Sequence, residues 1–234
     1  MTTLHILSGG AAFGLVSKLE AQFAAESGCT LSGTYNAVGA MRDQLLSGAP
    51  CDVVILTAAL IAQLQASSHV RAGSARNLGV VKTGVAVKAG DAQPDVSTPE
   101  ALKAALLNAK GIYFPDPIKA TAGIHFMRVL TELGIAAEVA PRLRPYPNGA
   151  TAMGEMAKCS EAGLIGCTQA TEILYTQGVK LIAALPAEFE LATTYTAGVS
   201  SQALHPAQAA ALLDLLCSDA VAGVRLAGGF EAAI

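Results

Sequence analysis

Short apolar segments alternate with longer amphipathic segments along the whole of this chain. The run from Asp52 to Leu56 is the clearest, because an almost continuous apolar stretch of this length is typical of a strand buried inside a parallel sheet. The run Leu4 to Leu7 precedes a helical segment, Ala11 to Glu26. One stripe of that segment carries its large apolar residues, Phe13, Val16, Leu19 and Phe23. Strand, turn and helix repeated in this way predict a doubly wound α/β fold.

The rest of the chain continues the same alternation. The further predicted strands are Thr30–Tyr35, Val80–Val87, Ile112–Phe114, a strand near Ala137–Ala140, Gly163–Thr168, Val179–Ala184 and an extended run over Leu191–Val199. The further predicted helices are Ala37–Leu46, Glu100–Ala109, Thr121–Leu133, a helix capped by Asn148 or Thr151 that runs to Cys159, Pro206–Cys217 and Asp219–Leu226. No linker or low-complexity tract separates these units, which favours two α/β lobes between which the chain crosses more than once.

Composition excludes several classes of protein. Hydrophobic residues make up 52% of the 234 residues and charged residues 14%, which excludes a disordered chain. The net charge of −3 provides no basic surface for nucleic acid, and the scattered Lys and Arg residues form no cluster for a membrane surface. The chain begins without a basic segment or a cleavage site, and its five cysteines lack metal-binding spacing. We therefore expect a cytoplasmic protein, or a periplasmic one if a signal peptide has been removed.

Candidate ligand-binding residues follow the predicted strands, because ligands of open α/β sheets lie beyond the carboxyl ends of the strands. The loops there are Ser8-Gly9-Gly10, Asn36-Ala37-Val38-Gly39, Thr57, Asp116 to Ala122, Asn148-Gly149 and Thr168-Gln169. Several lead directly into helix N-termini, where unpaired backbone N–H groups favour an anion. Each loop taken alone is also consistent with an ordinary turn. The Ser-Gly-Gly pattern lacks the glycine spacing and the lysine of a nucleotide site.

Few side chains are candidates for proton transfer. His125 lies one turn into the helix that begins at Thr121 and is the best-placed histidine, although a core or surface role is the alternative. Glu172 follows Gln169 and either reacts or stabilises the start of its own helix. Arg142 and Arg144 either pair with a carboxylate or belong to a solvated loop. No cluster of Asp, Glu and His has the spacing of a metal site.

Five segments in this order give the chain a family resemblance. They are Leu45 to Ile55, Asp116-Pro117 with Ala122-Gly123-Ile124, Gly166 to Ile173, Leu185-Pro186-Ala187-Glu188 and Thr194 to Val199. Together they make the sequence similar to the type II periplasmic binding protein superfamily, in the branch around the molybdate-binding protein of bacterial uptake systems. The resemblance covers essentially the whole chain.

The resemblance implies two lobes joined by two crossovers, with a ligand clamped in a cleft between them. The first lobe would hold residues 1–82 plus 192–234, and the second residues 83–191. By the same resemblance the backbone at Ala122-Gly123, a main-chain donor at Asn148-Gly149 and the hydroxyl of Tyr195 would contact the ligand.

Two positions depart from the family pattern. This chain has Ala11 where the family offers a hydroxyl in the first loop, with Ser8 as a replacement, and it has Asn36-Ala37-Val38-Gly39 where the family is serine-rich. A buried dianion loses on the order of 1.5–3 kcal/mol with each missing donor. A small carboxylate therefore fits these loops better than molybdate or tungstate.

Two functions remain open. The first is a clamp that binds a small anion, preferably a small polycarboxylate, without chemistry. The second is an isomerase that shifts an allylic proton on an unsaturated carboxylate, because this branch includes members that resemble aconitate isomerase. His125, Tyr195 and Glu172 would be the reacting residues, with Ser8, Asn36 and Gln169 holding carboxylates. Neither function requires a cofactor, and the sequence leaves the oligomeric state open.

Overall fold

The computed structural model describes residues 2–232. The chain divides into two compact units. Unit 1 contains residues 1–81 and 193–234, and unit 2 contains residues 82–192. The chain therefore leaves unit 1 once, builds unit 2 from one continuous segment, and returns to complete unit 1.

Strands and helices alternate through most of the chain. The strands are β1 (Thr2–Gly9), β2 (Cys29–Asn36), β3 (Val53–Thr57), β4 (Arg76–Lys88), β5 (Gly111–Pro115), β6 (Leu143–Tyr146), β7 (Leu164–Gln169), β8 (Val179–Ala184) and β9 (Ala192–Val199). The α-helices are α1 (Phe13–Ser27), α2 (Val38–Leu46), α3 (Ala58–Ala66), α4 (Pro99–Asn108), α5 (Thr121–Glu132), α6 (Ala136–Val139), α7 (Gly149–Lys158), α8 (Ala170–Tyr175), α9 (Pro206–Cys217) and α10 (Ala222–Ala227). Short 3-10 helices cover Gly10–Ala12, Ala140–Arg142, Ala187–Phe189 and Asp219–Val221. Within residues 2–232, no helix has the length and apolar character of a membrane span.

The sheet of unit 1 has the strand order β2-β1-β3-β9. The first three strands are parallel, and β9 runs antiparallel to β3. The apolar residues of β1 and β3 are buried with Phe23 of α1, Met41 of α2 and Leu213 of α9 in one core. Burial on both faces explains why β3 is apolar from Val53 to Leu56 instead of alternating.

Asp52, directly before β3, forms hydrogen bonds with two other segments of unit 1. Its carboxylate accepts backbone N–H bonds from His5 at 2.9 Å and from His205 at 3.0 Å. The side chain is 1% exposed, so these bonds compensate for the loss of water around the charge. Asp52 thus joins β1, β3 and the segment that leads into α9.

The sheet of unit 2 contains β7, β5 and β6 in parallel, with β4 antiparallel to β7 and β8 antiparallel to β4. Its two faces are covered by different helices. Ile165 and Cys167 of β7 pack with Phe126 of α5, whereas Leu164 packs with methionines of α7. Odd-numbered residues of β7 therefore face α5, and even-numbered residues face α7.

One predicted strand is wrong. Residues 136–139 form helix α6, and the next strand of the sheet is β6, Leu143–Tyr146, which the sequence pattern did not indicate. Ala and Glu are strong helix formers, and four residues are too few to show a strand period. Strand β6 lies at the end of the sheet and contains Arg144 and Pro145, which are tolerated at an edge but hide the strand pattern. Helix α3 was also not predicted.

Candidate functional site

The carboxyl ends of β1, β2 and β3 lie at one edge of the unit 1 sheet, which we call edge 1. Strand register pairs Gly9 with Asn36, and Thr57 with Tyr195 at the start of the antiparallel β9. Edge 1 therefore brings together seven of the predicted ligand-binding residues, Ser8, Gly9, Gly10, Asn36, Ala37, Thr57 and Tyr195.

Polar side chains at edge 1 already have partners within the chain. The fully buried Ser8 hydroxyl donates to Gly9 O at 2.8 Å. Asn36 Oδ1 accepts from Ala37 N at 2.8 Å, and Thr57 Oγ1 accepts from Leu60 N at 3.4 Å to cap α3. Helix α2 differs, because no side chain caps its N-terminus. Edge 1 therefore presents mainly backbone N–H groups, at the first turn of α2.

Tyr195 packs closely against the end of β1. Its ring is buried and meets Phe230 edge-on, with 6.4 Å between the ring centroids. A Cβ placed on Gly9 would lie 3.1 Å from the Tyr195 ring and 2.7 Å from the side chain of Val38. Only glycine lets β1 approach both residues this closely.

The carboxyl ends of β5, β6 and β7 lie at one edge of the unit 2 sheet, which we call edge 2. Helices α5, α7 and α8 begin there, directly after these strands or after short loops. The antiparallel β4 places Thr83 opposite Gln169 at the same edge. Edge 2 therefore contains the remaining predicted ligand-binding residues, Ala122, Asn148, Gly149 and Gln169, together with Glu172.

The N-terminus of α7 is capped by the chain itself. Asn148 Oδ1 accepts from Thr151 N at 2.8 Å, so Asn148 is the capping residue of the two, Asn148 and Thr151, that the sequence left open. The carboxylate of Glu172 accepts the backbone N–H groups of Gly149 and Ala150. Gly149 also packs directly on that carboxylate and leaves no room for a Cβ. The main-chain donors that the resemblance assigns to a ligand are thus engaged by Glu172.

Glu172 is a buried carboxylate with an unusual environment. Burial raises its pKa from 4.5 to about 6, against the opposing effect of the Thr168 hydroxyl at 2.6 Å and of three backbone N–H groups. Burial disfavours the charged form, whereas each donated hydrogen bond favours it. The result is a carboxyl group whose pKa lies closer to neutral pH than that of an exposed glutamate.

The N-terminus of α5 is not capped by a side chain. Its N-cap residue is Ala120, which cannot accept a hydrogen bond through its side chain. The N–H groups of the first turn, which includes Ala122, have no partners inside the helix. Gly123 packs on the carbonyl groups of Pro115 and Asp116 so tightly that a Cβ has no space. The first turn of α5 is therefore fixed against the end of β5 with its N–H groups directed toward edge 2.

Three polar side chains of unit 2 are buried without a hydrogen-bond partner. Both polar atoms of the Gln169 side chain and the hydroxyls of Thr83 and Thr171 have none. Each of the three residues is at most 3% exposed. An unpaired buried polar group costs about 1–3 kcal/mol, so several in one unit indicate a place for a polar ligand or water. Thr83 was missed, although it is the one hydroxyl residue in the predicted strand Val80–Val87 and so a detectable signal.

The remaining candidates have partners inside unit 2. His125 is partly buried in α5, and its Nε2 donates to Phe189 O at 2.8 Å, because a carbonyl oxygen can only accept. Arg142 donates to the carbonyls of Leu107 and Ala109 and so caps the end of α4. Arg144 donates to the nearby carbonyls of Pro141 and Leu143. Across the described part of the chain, no group of three or more His, Cys, Asp and Glu residues could hold a metal ion.

Known proteins share this architecture. The aconitate isomerase of a Pseudomonas species is 27% identical over 235 residues, covering 97% of this chain and 87% of that relative. The periplasmic molybdate-binding protein of Azotobacter vinelandii has a TM-score of 0.82 at 18% identity, covering 99% of this chain and 100% of the other. The sulfate-binding protein SubI of Mycobacterium tuberculosis H37Rv has a TM-score of 0.75 at 15% identity, covering 98% and 86%.

The two structural likenesses confirm the predicted fold class. The family match and the relative named aconitate isomerase agree with the predicted resemblance. The family match extends from residue 4 to residue 231, almost the entire chain. The chain belongs to the family of bacterial extracellular solute-binding proteins.

Proposed function

We propose that this chain binds a small polycarboxylate, with one carboxylate at the first turn of α5. The observation that carries the proposal is the combination of an uncapped helix N-terminus with the buried, unpartnered side chains of Gln169 and Thr83. Backbone N–H groups and the helix dipole favour an anion at that position. The neighbouring amide and hydroxyl supply the polar partners that fix its orientation.

The strand register places these groups on one face of the unit 2 sheet. Val85 and Cys167 are opposite each other and pack in the same core as Phe126 of α5. Thr83 and Gln169 are the next opposed pair on that face, two residues toward edge 2. Both side chains therefore lie on the α5 side of the sheet, at the end where α5 begins.

A carboxylate fits better than a tetrahedral dianion. The relatives named for molybdate and sulfate share the fold at 18% and 15% identity, which leaves their ligands open for this chain. The Ser8 hydroxyl donates its proton to Gly9 O, and the donors at α7 are used by Glu172. A carboxylate needs donors at only two oxygens, and the uncapped first turn of α5 can supply them.

Removing a single backbone donor from α5 tests the proposal. Thr121 is the first residue of α5, and the preceding Ala120 is extended, so Thr121→Pro keeps the helix but deletes one N–H group. The matched control is Thr121→Ala, which changes the side chain and keeps the N–H group. Calorimetric titration with tricarballylate (propane-1,2,3-tricarboxylate) should show about tenfold weaker binding for Thr121→Pro. Equal affinities in the two variants would contradict binding at α5.

Isomerisation is the second candidate function. The observation in its favour is the relative named aconitate isomerase, which is similar over 97% of this chain. An allylic isomerisation removes a proton from one carbon, moves the double bond, and returns a proton to the carbon at the other end. Glu172 has a pKa of about 6, which suits a group that must both accept and donate that proton. His125 and Tyr195 remain candidates for the same role.

Proton NMR in deuterated water tests the isomerase. Incubation with cis-aconitate should produce trans-aconitate, with deuterium entering the carbon positions that exchange. Glu172→Gln should lower the rate by about 100-fold or more if Glu172 moves the proton. Tyr195→Phe and His125→Gln are tested in parallel. If only one of these two variants loses about 100-fold in rate, the residue changed in that variant moves the proton instead of Glu172. Binding of cis-aconitate without conversion to trans-aconitate would contradict isomerisation and support binding without chemistry.

A further inference from the structure

We infer that the ligand presents an O–H group, a hydroxyl or an un-ionised carboxyl, to the side chains of Gln169 and Thr83. The inference rests on the proposed function and specifies the class of carboxylate bound. A ligand of this class carries at least one ionised carboxylate for α5 and one group that both donates and accepts a hydrogen bond.

The chemistry of the Gln169 amide leads to this class. A glutamine side chain offers one acceptor oxygen and one donor NH₂ group, and neither has a partner here. An ionised carboxylate only accepts, so it satisfies the NH₂ group and repels the amide oxygen. An O–H group satisfies both, because its oxygen accepts and its proton is donated. The reasoning does not depend on which way the amide is turned, since either orientation presents one donor and one acceptor.

Neighbouring groups hold Gln169 in position for this recognition. Its backbone N–H donates to the buried carboxylate of Glu172, and its Cα is paired with that of Thr83 across the sheet. The Gln169 side chain is 3% exposed, so bulk water does not compete for its hydrogen bonds. The Thr83 hydroxyl can donate or accept and so completes the contact to either form of the ligand.

A matched pair of ligands tests the inference. Citrate and tricarballylate share a carbon skeleton and three carboxyl groups, and only citrate carries a hydroxyl. If the group is a hydroxyl, calorimetry at pH 7.5 should show citrate binding about tenfold more tightly than tricarballylate. Gln169→Met removes both hydrogen-bonding atoms at similar length, and it should abolish the preference for citrate over tricarballylate.

A pH series distinguishes the un-ionised carboxyl from the hydroxyl. If the group is a carboxyl, tricarballylate should bind with uptake of one proton, and its affinity should rise about tenfold for each pH unit from 8.0 to 6.5. Gln169→Met should remove this slope, whereas Glu172→Gln should retain it, which excludes Glu172 as the group that takes up the proton. Thr83→Val, which is isosteric, should weaken the preference for citrate or the pH dependence of tricarballylate affinity, whichever is observed. It serves as the second variant if Gln169→Met does not fold.

The failures are also distinguishable. Tricarballylate binding without a hydroxyl preference and without proton uptake would overturn the inference and leave the proposed function intact; ordered water would then satisfy Gln169. No binding of any carboxylate to a folded wild-type protein would overturn the proposed function and the inference together.

Discussion

The hydroxyl of Thr168 donates a 2.6 Å hydrogen bond to Oε2 of Glu172, joining the end of β7 to the first turn of α8. The same carboxylate accepts the first N–H groups of α7. The Glu172 carboxylate thus occupies the N-terminus of α7, where the helix would otherwise favour an anionic ligand. Of the two longer helices that begin at edge 2, α7 has an N-terminus capped by side chains of the chain itself, and α5 has no side-chain cap.

Replacing Glu172 should change how stability depends on pH. The pKa of Glu172 is about 6 in the folded protein and 4.5 as its ordinary value, so the folded state binds the proton more tightly. The resulting stabilisation is complete below pH 4.5 and is lost as the pH rises through 6. The free energy of unfolding of wild type relative to Glu172→Gln should therefore fall by about 1.5 kcal/mol between pH 4.5 and 7.

Urea denaturation of both proteins across this range measures the difference, in which the contributions of all other titrating groups cancel. A wild-type advantage that grew with pH would mean that hydrogen bonding to the charged form outweighs burial, and that the pKa of Glu172 is lowered.

Gly123→Ala should destabilise the protein, because the new methyl group meets the backbone carbonyls of Pro115 and Asp116. Overpacking against backbone typically costs about 1–3 kcal/mol. The matched control is Gly154→Ala within α7, where a Cβ meets nothing within 4 Å. That change should stabilise by about 0.5–1 kcal/mol, since Ala is the better helix former. Chemical denaturation of the pair should give opposite signs, and a neutral Gly123→Ala would show that α5 does not pack on β5 as described.

Asn148→Ala should lower the free energy of unfolding by about 1 kcal/mol, because it removes the cap on Thr151 N. Asn148→Ser keeps an acceptor at the cap and should lose much less. Neither change should weaken carboxylate binding at α5 by more than about threefold. The cap of α7 and the first turn of α5 share no partner, so a change at one is expected to leave the other unaffected. A large loss of affinity in Asn148→Ala, measured by calorimetry, would place the ligand at α7 instead.

Asp52→Ala should destabilise by about 2–4 kcal/mol, since it leaves the backbone N–H groups of His5 and His205 without their acceptor. Asp43→Ala, at an exposed ion pair with Arg42, is the control and should change stability by less than about 1 kcal/mol. Thermal and urea unfolding should rank the two variants in that order. Similar small effects would mean that the bonds to Asp52 contribute little.

The sequence predicted the features that depend on local pattern. Strand β3 follows from its apolar run, and the position before α7 limited its cap to Asn148 or Thr151. The loop residues of edges 1 and 2 follow from the rule that ligand loops follow strands, whereas Tyr195 was assigned from the family resemblance. The contact between Glu172 and α7 could not be predicted, because Gly149 and Glu172 are brought together only by the packing of α7 and α8 on the sheet. The side chains of Gln169 and Thr83 have no hydrogen-bond partners because of where strand register places them, and no short sequence pattern determines that register.

Calorimetric titration of the wild-type protein with tricarballylate, citrate, molybdate and sulfate in one buffer is the most direct test of the central claim. The proposed function predicts saturable binding of a tricarboxylate and no measurable binding of either tetrahedral dianion. Tight binding of molybdate or sulfate with no heat from the carboxylates would contradict it.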